Sequence, residues 1–515
     1  MSAATFTVAN GDVPGLIAAI QAANATLAED TIELANNGDY VLYAPYFTSL
    51  SVPLDRTGLP WITTPITIEG HGSVIRRGES VTFVVPDFRI LRVRGRGAAL
   101  TARNLGVHNG KVSLVNGDNF DASGAGIRND SCPLTIENCS FEDNQGLHHA
   151  GAIHTTGPTM VTDSLFLHNV TSDGMGAIRA FNTTSLTVER CYFFENRGDS
   201  ALSIRSVDSA NVSASSIVKS DSGLNGGTRG VDIYDSVVRL ANCTIFQSTK
   251  HGVDIRGTSV VTIAHCTIYE NGKIPNDASG IYNGAGAVLN LVNTIVANSE
   301  PHSDCSNMGI ILQNTGNLIR DGSCNPDFIG DPKLGTLGTY GGPTPVLPLL
   351  AGSPAIDSAN DAFGEPVDQR GVARPKGAHW DIGAYEGTLR VRPDYSAPFF
   401  VDILYNPEPY VVICDPLGGE TISMAILGSR SVAAKAINFA SLSLGNAPAG
   451  TARLLGIQDV NRDGIEDLVV QFPLNAVYQR VSSCEAVTLL ELQGETFDRL
   501  PLTGYINVTA APRSR

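Results

Sequence analysis

The chain has 515 residues, a formal net charge of −16, and 17% charged residues. The length allows two to four domains. The acidic balance argues against a nucleic-acid partner, and no apolar run reaches the ~18 residues of a membrane span.

The segment DVPGLIAAIQAAN (12–24) is predicted to form an amphipathic helix. Asp12 can cap its N-terminus, and Pro14 suits its first turn. The residues expected on its buried face are Leu16, Ile20 and Ala23. A strand, DTIEL, follows. We expect residues 1–70 to form a cap with the first coils, covering sheet edges that would otherwise be exposed.

Eight repeats of one short pattern lie between residues 99 and 298, at steps of 23 to 35 residues. Each has an apolar strand, then Asn or Cys, two or three apolar residues, and Asn or Ser. The final residues of the repeats are Asn109, Asn144, Asn169, Asn196, Ser220, Ser248, Asn271 and Asn298. We expect these side chains to stack and hydrogen-bond from coil to coil. The repeats predict an all-β fold, a parallel β-helix over 71–330, right-handed by the crossover rule.

A second pattern places an isoleucine at one position of each coil, pointing inward. The isoleucines are Ile127, Ile153, Ile178, Ile204, Ile233, Ile255 and Ile281. The residue after each should point outward, because side chains alternate along a strand. These residues are Arg128, His154, Arg179, Arg205, Tyr234, Arg256 and Tyr282. Four arginines in one column repel each other unless an anionic ligand covers them. We therefore expect a substrate-binding stripe, with Tyr234 also a catalytic candidate.

Two acidic residues, Asp232 and Asp254, precede their isoleucines and are expected to point outward on successive coils, ~5 Å apart at Cα. Paired carboxylates suit glycoside hydrolysis. Alternatively, His251 or Tyr234 acts as the base in a β-elimination while an arginine steadies the enolate. Two other interpretations stay open. The face only binds a ligand, or the acids and arginines simply pair with each other.

Of the nine cysteines, Cys132 is unassigned and the other eight fall into two groups. Four share one position of the repeat and are expected to pack inside the coil as small apolar side chains. These are Cys139, Cys191, Cys243 and Cys266. Cys305 with Cys324, and Cys414 with Cys484, are plausible disulfides and would imply an oxidising compartment. The chain opens without a basic start or a long apolar stretch, so no leader is visible. Of a cytosolic protein and a mature secreted chain, we favour the second, extracellular or at the cell surface.

The phrases GGPTPVLPLLAGSPAID, DQRGVARP and DIGAYE lie within the signature segment, residues 331–388. They resemble the C-terminal signature of the bacterial choice-of-anchor Q proteins, which are secreted right-handed β-helix proteins of the pectate-lyase-like superfamily. The likeness covers roughly residues 5–388. It implies the fold and secretion, and the superfamily favours polysaccharide chemistry. Four charged residues of the segment suit either a catalytic role or a buried ion-pair network, and we expect the network. These are Asp368, Arg370, Arg374 and Asp381.

After a linker at 389–398, alternating strands without the repeat predict a β-sandwich over 399–515. The phrases MAILGS (424–429) and DVNRDGIEDLV (459–469) resemble an accessory domain of exported bacterial proteins. The second phrase sets oxygen ligands at alternating positions, as Ca²⁺ prefers. The proposed ligand positions are Asp459, Asn461, Asp463, Ile465 and Asp467. Val470 stands where an EF-hand has Glu, so we expect a calcium site of another, stabilising type. The alternative is a polar Asx turn without a metal.

Together these features predict a secreted bacterial protein that acts on an anionic, uronate-containing polysaccharide, as a lyase or a glycoside hydrolase. The alternative is a non-catalytic surface or adhesion protein that binds a glycan or a partner protein.

Overall fold

The chain divides into two compact units, Met1–Leu334 with Gly342–Leu389 and Gly335–Gly341 with Arg390–Arg515. The boundaries drawn from the sequence stay a prediction. The structure is a computed structural model. It describes residues 2–46, 56–113, 123–220, 227–273, 279–299, 303–387, 399–400, 403–404, 410–413, 421–426, 437–444, 449–458, 467–473, 487–496 and 501–511. Among these residues, no helix has the length and apolar character that crossing a bilayer requires.

Helix α1 (Val13–Asn24) forms where the sequence predicts it. Asp12 accepts a hydrogen bond from the Gly15 amide at 2.9 Å, which satisfies one of the free N–H groups at the helix start. The predicted apolar face is buried. The helix contacts the first strands of the first unit and so covers the beginning of the coils.

The first unit is a parallel β-helix, as predicted, in which each full coil contributes a strand to three faces. The first face contains β5 (Leu91–Arg94), β7 (Ile127–Asp130), β11 (Ile153–Thr155), the first parts of β15 (Ile178–Glu189) and β17 (Ser200–Ser213), β19 (Arg229–Tyr234), β22 (Val253–Arg256), β25 (Ile281–Asn283) and β28 (Cys305–Asn307).

The second face runs through the later parts of β15 and β17. Its other strands are β1 (Thr5–Val8), β2 (Asp30–Leu34), β4 (Pro65–Arg77), β6 (Ala99–His108), β8 (Leu134–Glu137), β12 (Thr159–Thr162), β20 (Val237–Ala241), β23 (Val260–Ala264), β26 (Val288–Val292) and β29 (Ile310–Thr315).

The second parts of β4 and β6 belong to the third face, because each of these two strands bends from the second face onto the third. Its other strands are β3 (Asp39–Leu42), β9 (Ser140–Glu142), β13 (Leu165–Leu167), β16 (Tyr192–Phe194), β18 (Ser216–Val218), β21 (Thr244–Phe246), β24 (Thr267–Tyr269), β27 (Ile295–Ala297) and β30 (Leu318–Ile319). A separate two-stranded sheet pairs β10 (Gln145–His148) with β14 (Val170–Asp173).

Alternate residues of the strands point into the coils, and the interior is apolar because most of these inward residues are apolar. The seven isoleucines predicted to point inward are all fully buried. Phe141, Phe166 and Phe193 stack in register, with ring centroids 5.0 and 4.7 Å apart. Burial of each such side chain contributes about 1.5–3 kcal/mol. Stacking therefore holds each coil to the next.

The predicted asparagine column exists, with two corrections. Asn144 donates to Asn169 Oδ1 at 3.0 Å, and Asn169 donates to Asn196 Oδ1 at 3.0 Å. Asn109 and Asn298 do not belong to this column. Both occupy the preceding turn position, with φ of 58° and 60°, a conformation that asparagine tolerates better than most residues. The column positions in their coils are held by the residues that follow, Gly110 and Ser299.

The four repeated cysteines are free thiols buried inside the coils, as predicted. Cys132 is also free and buried. The predicted disulfide between Cys305 and Cys324 is present. Cys414 and Cys484 lie outside the described residues, so their pairing stays a prediction.

The signature segment contacts the outer side of the third face. Gln369 Nε2 donates to Ser216 Oγ at 2.7 Å, and Gln369 Oε1 accepts from Thr244 Oγ1 at 2.7 Å. Ala384 N donates to Thr267 Oγ1 at 3.0 Å. These small polar residues point outward on successive coils, yet all three are buried. The segment therefore seals this side of the β-helix.

Asp368, Arg374 and Asp381 are buried and Arg370 is half-buried, and their ion pairs differ in part from the expected network. Arg370 pairs with Asp368 at 2.6 Å. Arg374 pairs with Glu386 at 2.8 Å, a partner that the sequence analysis did not name. The Asp381 carboxylate accepts backbone N–H groups, and burial raises its pKa to about 6. The network holds the end of the first unit together.

The second unit is a β-sandwich, as predicted. One sheet orders β31 (Phe399–Phe400), β39 (Pro501–Ala511), β38 (Val487–Thr496) and β35 (Ile437–Leu444), with β33 (Tyr410–Ile413) also paired to β39. The other orders β32 (Ile403–Leu404), β34 (Thr421–Ile426), β37 (Asp467–Pro473) and β36 (Arg453–Gln458). Both sheets contribute buried apolar side chains.

The predicted calcium loop falls mostly outside the described residues, which include none of Asp459, Asn461, Asp463 or Ile465. Asp467 begins β37. Val470 is fully buried in that strand, which explains why no ligand side chain stands there. Calcium therefore stays a prediction.

Candidate functional site

The outward residues of the first face form two adjacent columns, which are set by the strand register. The Arg179 column contains Arg92, Arg128, His154, Arg179, Ser203, Asp232, Asp254, Tyr282 and Ser306. The Arg205 column, two residues further along each strand, contains Phe181, Arg205, Tyr234 and Arg256.

This arrangement corrects the single stripe expected from the sequence. Ile178 pairs with Leu202 rather than Ile204, and Ile281 pairs with Val253 rather than Ile255. A shift of two residues preserves the alternation of inward and outward side chains, so the periodicity alone does not detect it. The arginines and tyrosines of the predicted stripe therefore divide between the two columns.

The Arg205 column is the accessible one. Tyr234 is 42% exposed and Phe181 is 38% exposed. The Arg205 guanidinium lies 5.9 Å from the Tyr234 ring centroid. The Arg256 guanidinium lies 5.2 Å from the ring centroid of Tyr282, which belongs to the Arg179 column. Aromatic rings and cations thus alternate along this surface at the spacing of the coils, ~4.8 Å.

Asp232 and Asp254 are Cα partners on adjacent coils, as predicted. Unlike the sequence expectation of an open outward pair, both are buried. Asp232 Oδ2 accepts hydrogen bonds from Arg205 Nε at 2.8 Å and from Ser203 Oγ at 3.1 Å. Its charge is therefore compensated within the fold.

Asp254 lies between two guanidinium groups. Arg256 Nε donates to its Oδ1 at 2.9 Å, and Arg229 Nε donates to its Oδ2. Burial alone would raise the pKa of Asp254, but the Arg256 hydrogen bond and the charge of Arg229 outweigh it and lower that pKa. Asp254 is therefore held as a carboxylate.

His251 and Tyr282 pack together beside Asp254. Their ring centroids are 5.0 Å apart. His251 is 1% exposed, and its Nδ1 lies 3.1 Å from Ser279 Oγ. Tyr282 is half-buried and donates to Met308 Sδ at 3.4 Å. Of the two predicted bases, His251 and Tyr234, the structure leaves Tyr234 open to a ligand.

Arg128 and Arg92 share one carboxylate at the other end of the face. Arg128 Nε donates to Asp130 Oδ1 at 2.9 Å, and Arg92 Nε donates to Asp130 Oδ2 at 2.7 Å. Burial alone would raise the pKa of Asp130, but the two guanidinium charges outweigh it and lower the pKa. The Asp130 carboxylate therefore accepts one of the hydrogen bonds that the Arg128 guanidinium can donate.

Arg179 and His154 differ from these neighbours. They are Cα partners, 8% and 5% exposed respectively. Arg179 Nε and His154 Nδ1 are buried, and neither has a hydrogen-bond partner within the described part of the chain. Burial, together with the charge of Arg205, lowers the pKa of Arg179 to about 10. Burial, with the charges of Arg128 and Arg179, lowers the pKa of His154 well below its usual value. At neutral pH the pair is one cation beside one neutral imidazole.

Two further histidines, His149 and His148, lie near His154. The His149 ring lies 6.0 Å from that of His154 and 6.2 Å from that of His148. Within the described ranges, no group of three or more His, Cys, Asp or Glu side chains has the geometry to hold a metal ion.

Sequence reasoning missed Asp130 and Arg229, which pair with the predicted site residues Arg128 and Asp254, and it missed Arg92, which shares Asp130 with Arg128. For the two coils that contain Arg179 and Arg205, the chain length between faces could have found the correct register. Leu186 and Ala210 are partners on the second face, each eight residues after its first-face partner, Ile178 or Leu202. Aligning these two coils on the second face would have placed Arg179 beside Ser203 and Arg205 in the other column.

No protein-family model matches this chain, and no curated protein matches its sequence. Among solved structures, pectate lyase Pel9A is similar, with a TM-score of 0.45 and 14% identity, over 75% of this chain and 97% of that one. The enzymatically active domain of bacteriophage CBA120 tailspike protein 2 has a TM-score of 0.36 and 9% identity, over 97% of this chain and 74% of that one. Neither likeness is close enough to support an argument about function.

Proposed function

We propose that this protein binds an anionic, uronate-containing polysaccharide along its first face and cleaves it, as a lyase or a glycoside hydrolase. The observation that carries the proposal is the accessible Arg205 column beside the Asp232–Asp254 pair. Aromatic rings bind the apolar faces of sugars, and guanidinium groups bind carboxylates. Their alternation at coil spacing suits a chain of sugars that lies along the axis.

Hydrolysis would use Asp232 and Asp254. The pair has adjacent Cα positions, and Asp254 is ionised, as a nucleophile or a base requires. Asp232 would act as the general acid: its carboxyl group, released from Arg205 and carrying a proton, would donate that proton to the departing glycosidic oxygen.

β-Elimination would use Tyr234 as the base. Its phenolate oxygen would take the proton next to the uronate carboxylate and pass it to the departing glycosidic oxygen, while a carbon–carbon double bond forms. Arg205 and Arg256, its Cα partners on the two adjacent coils, would neutralise the carboxylate as the enolate develops.

The second candidate is a non-catalytic surface protein that binds a glycan or a partner through the same columns. It is favoured by a specific observation. Asp232, Asp254 and His251 are all buried, and each has a hydrogen-bond partner. Such an arrangement also serves a rigid binding surface.

An extracellular or cell-surface location and a structural calcium ion in the second unit are part of this proposal, as is membership of the choice-of-anchor Q family. The Cys305–Cys324 disulfide supports an oxidising compartment. The calcium proposal is tested by chelation, which is expected to lower the melting temperature of the second unit.

The experiment is a panel of acidic and neutral glycans, followed for new reducing ends and for the ultraviolet absorbance of unsaturated uronates. Reducing ends without absorbance indicate hydrolysis, and both together indicate a lyase. Retention of a glycan without turnover supports the binding protein. Turnover unchanged in Asp232→Asn and Asp254→Asn would exclude those two residues from catalysis.

A further inference from the structure

The Arg179 position is the one place on the first face where a buried guanidinium lacks a carboxylate partner. This comparison covers the buried and half-buried arginines of the two columns that the structure describes. Their pairs are Arg92 and Arg128 with Asp130, Arg205 with Asp232, and Arg256 with Asp254. Arg179 instead lies with its guanidinium 4.6 Å from the Phe181 ring centroid.

A buried cation without a counter-ion is costly to the fold. A cation–π contact offsets only part of that cost. Proteins keep such violations at functional sites, where a ligand completes them. The Arg179 side chain is therefore placed as a receptor for an anion rather than as a structural element.

His154 shapes what the receptor accepts. It lies on the preceding coil, directly in register with Arg179. Because it is neutral, it adds no second charge, and its unpartnered Nδ1 offers one further hydrogen-bonding group. The pair therefore presents one positive charge, a planar guanidinium fork and one imidazole. A carboxylate matches this set, because guanidinium and carboxylate groups are planar and bidentate.

We propose that Arg179 and His154 bind a single carboxylate, and that the ligand is a heteropolysaccharide in which an acidic sugar is followed by neutral sugars. This inference rests on the proposed polysaccharide function and specifies its substrate class.

The rest of the column supports neutral neighbours. Beyond Arg179 come Ser203, Asp232 and Asp254, one per coil. Consecutive sugars of an extended chain are separated by nearly the coil spacing of ~4.8 Å. A homopolymer of uronic acid would therefore bring further carboxylates over two buried acids whose arginines are already paired. Like charges repel strongly in such poorly solvated surroundings.

The same geometry bears on the reaction. A uronate at Arg179 lies two coils from Asp232. The sugars over Asp232 and Asp254 are then neutral, and β-elimination needs a carboxylate at the reacting sugar. The linkage there would be cleaved by addition of water, which gives a new reducing end and no unsaturated product.

The test is calorimetric titration of the full chain with defined tetrasaccharides. The first has one glucuronate followed by three neutral sugars. The others are its methyl ester, its analogue with a sulfate ester in place of the carboxylate, and tetragalacturonate. We expect one-to-one binding of the first. Methyl esterification or Arg179→Met should weaken binding roughly tenfold to a hundredfold, the effect of losing one charge-assisted contact.

Arg190→Met is the matched control, because Arg190 is an accessible arginine that pairs with Asp163 on another face. It should bind as the wild type does. Arg179→Lys keeps the charge but loses the fork, so it should restore only part of the affinity. Circular dichroism checks that each variant is folded.

Three outcomes overturn the inference. The first is tighter binding of tetragalacturonate than of the single-uronate probe. The second is unaltered binding by Arg179→Met, and the third is equal or stronger binding of the sulfate analogue. If the proposed function itself is wrong, the result is distinguishable from these three outcomes, because the wild type then neither retains nor cleaves any glycan of the panel.

Discussion

Arg179 and Arg374 are two arginines of the first unit with almost the same burial and opposite surroundings. They are 8% and 7% exposed. Arg374 Nη1 donates to Glu386 Oε2 at 2.8 Å, and its guanidinium also donates to the carbonyls of Asp381 and Gly383 at 3.0 and 2.8 Å. Arg179 forms no ion pair with any carboxylate among the residues that the structure describes.

The difference separates a residue that serves the fold from one that is left for a ligand. Around Arg374, the chain supplies both the counter-charge and the carbonyl acceptors, so the ion pair fixes the signature segment. Around Arg179, the chain supplies a guanidinium and a neutral imidazole and leaves the anion to come from outside. Burial alone therefore does not tell a structural arginine from a binding arginine, whereas partner identity does.

The largest expected effect is that of Arg374→Met. It leaves Glu386 buried without its cation, and breaking one side of a buried pair costs about 3–5 kcal/mol. The free energy of unfolding of the first unit, measured by urea denaturation, should fall by this amount. Arg190→Met, which breaks an exposed pair with Asp163, should cost less than ~1 kcal/mol. Equal losses in the two variants would contradict the assignment of Arg374 as structural.

Buried titratable groups that serve the fold should also reveal themselves through pH. Burial lowers the pKa of His108 from 6.5 to about 4. The unfolded chain therefore binds a proton that the folded chain does not, and stability is lost as pH falls from 6.5 towards 4. Asp381 acts in the opposite direction, because its pKa is raised to about 6. Between pH 4 and 6 the two contributions oppose each other.

The His108→Gln variant isolates the first contribution. Between pH 6.5 and 4 it should lose about 2–3 kcal/mol less of its free energy of unfolding than the wild type does. Glutamine can still hydrogen-bond to Ser140, which lies 2.7 Å from His108 Nε2. His71→Gln, at an accessible histidine, is the control. Parallel pH curves for His108→Gln and the wild type would refute the argument.

The fold was predictable because its signals are redundant. Eight repeats carry the same alternation, and a mistake in one does not change the architecture. The asparagine column shows where this redundancy ends. Asn109 and Asn298 take a left-handed turn conformation, whereas Asn144 stacks inside the coils. Asparagine suits both roles, so residue identity does not decide which position it occupies.

The candidate site was less predictable for a similar reason. Its chemistry depends on which outward residue stands above which, and a two-residue slip leaves the alternation unchanged. Asp232 and Asp254 were correctly placed on adjacent coils because their phrases, GVDIY and GVDIR, are nearly identical. Arg179 and Arg205 were wrongly placed together because MGAIRAF and ALSIRSV look alike but are offset by two residues.

Tyr234→Ala tests whether the accessible column contacts the ligand. The change removes an exposed ring and leaves the Asp232–Arg205 pair intact. Glycan binding should weaken roughly fivefold to tenfold, the effect of losing one stacking contact. The control is Tyr192→Ala, at a half-buried tyrosine on the third face. Affinity chromatography on the immobilised glycan measures both, and equal retention of the two variants would exclude the column as the binding surface.

The smallest expected change in stability is also the most informative about the comparison. Arg179→Met removes a buried charge that forms no ion pair with a carboxylate of the described residues and is offset only at longer range by the charge of Asp232. The methionine can still pack against Phe181. The free energy of unfolding should stay within about 1 kcal/mol of the wild-type value, or rise, because the desolvation cost of the guanidinium disappears. The same substitution at Arg374 should cost several times more. A loss at Arg179 as large as that at Arg374 would mean that Arg179 holds the coils together, and the surface would lose its distinguishing feature as a ligand site.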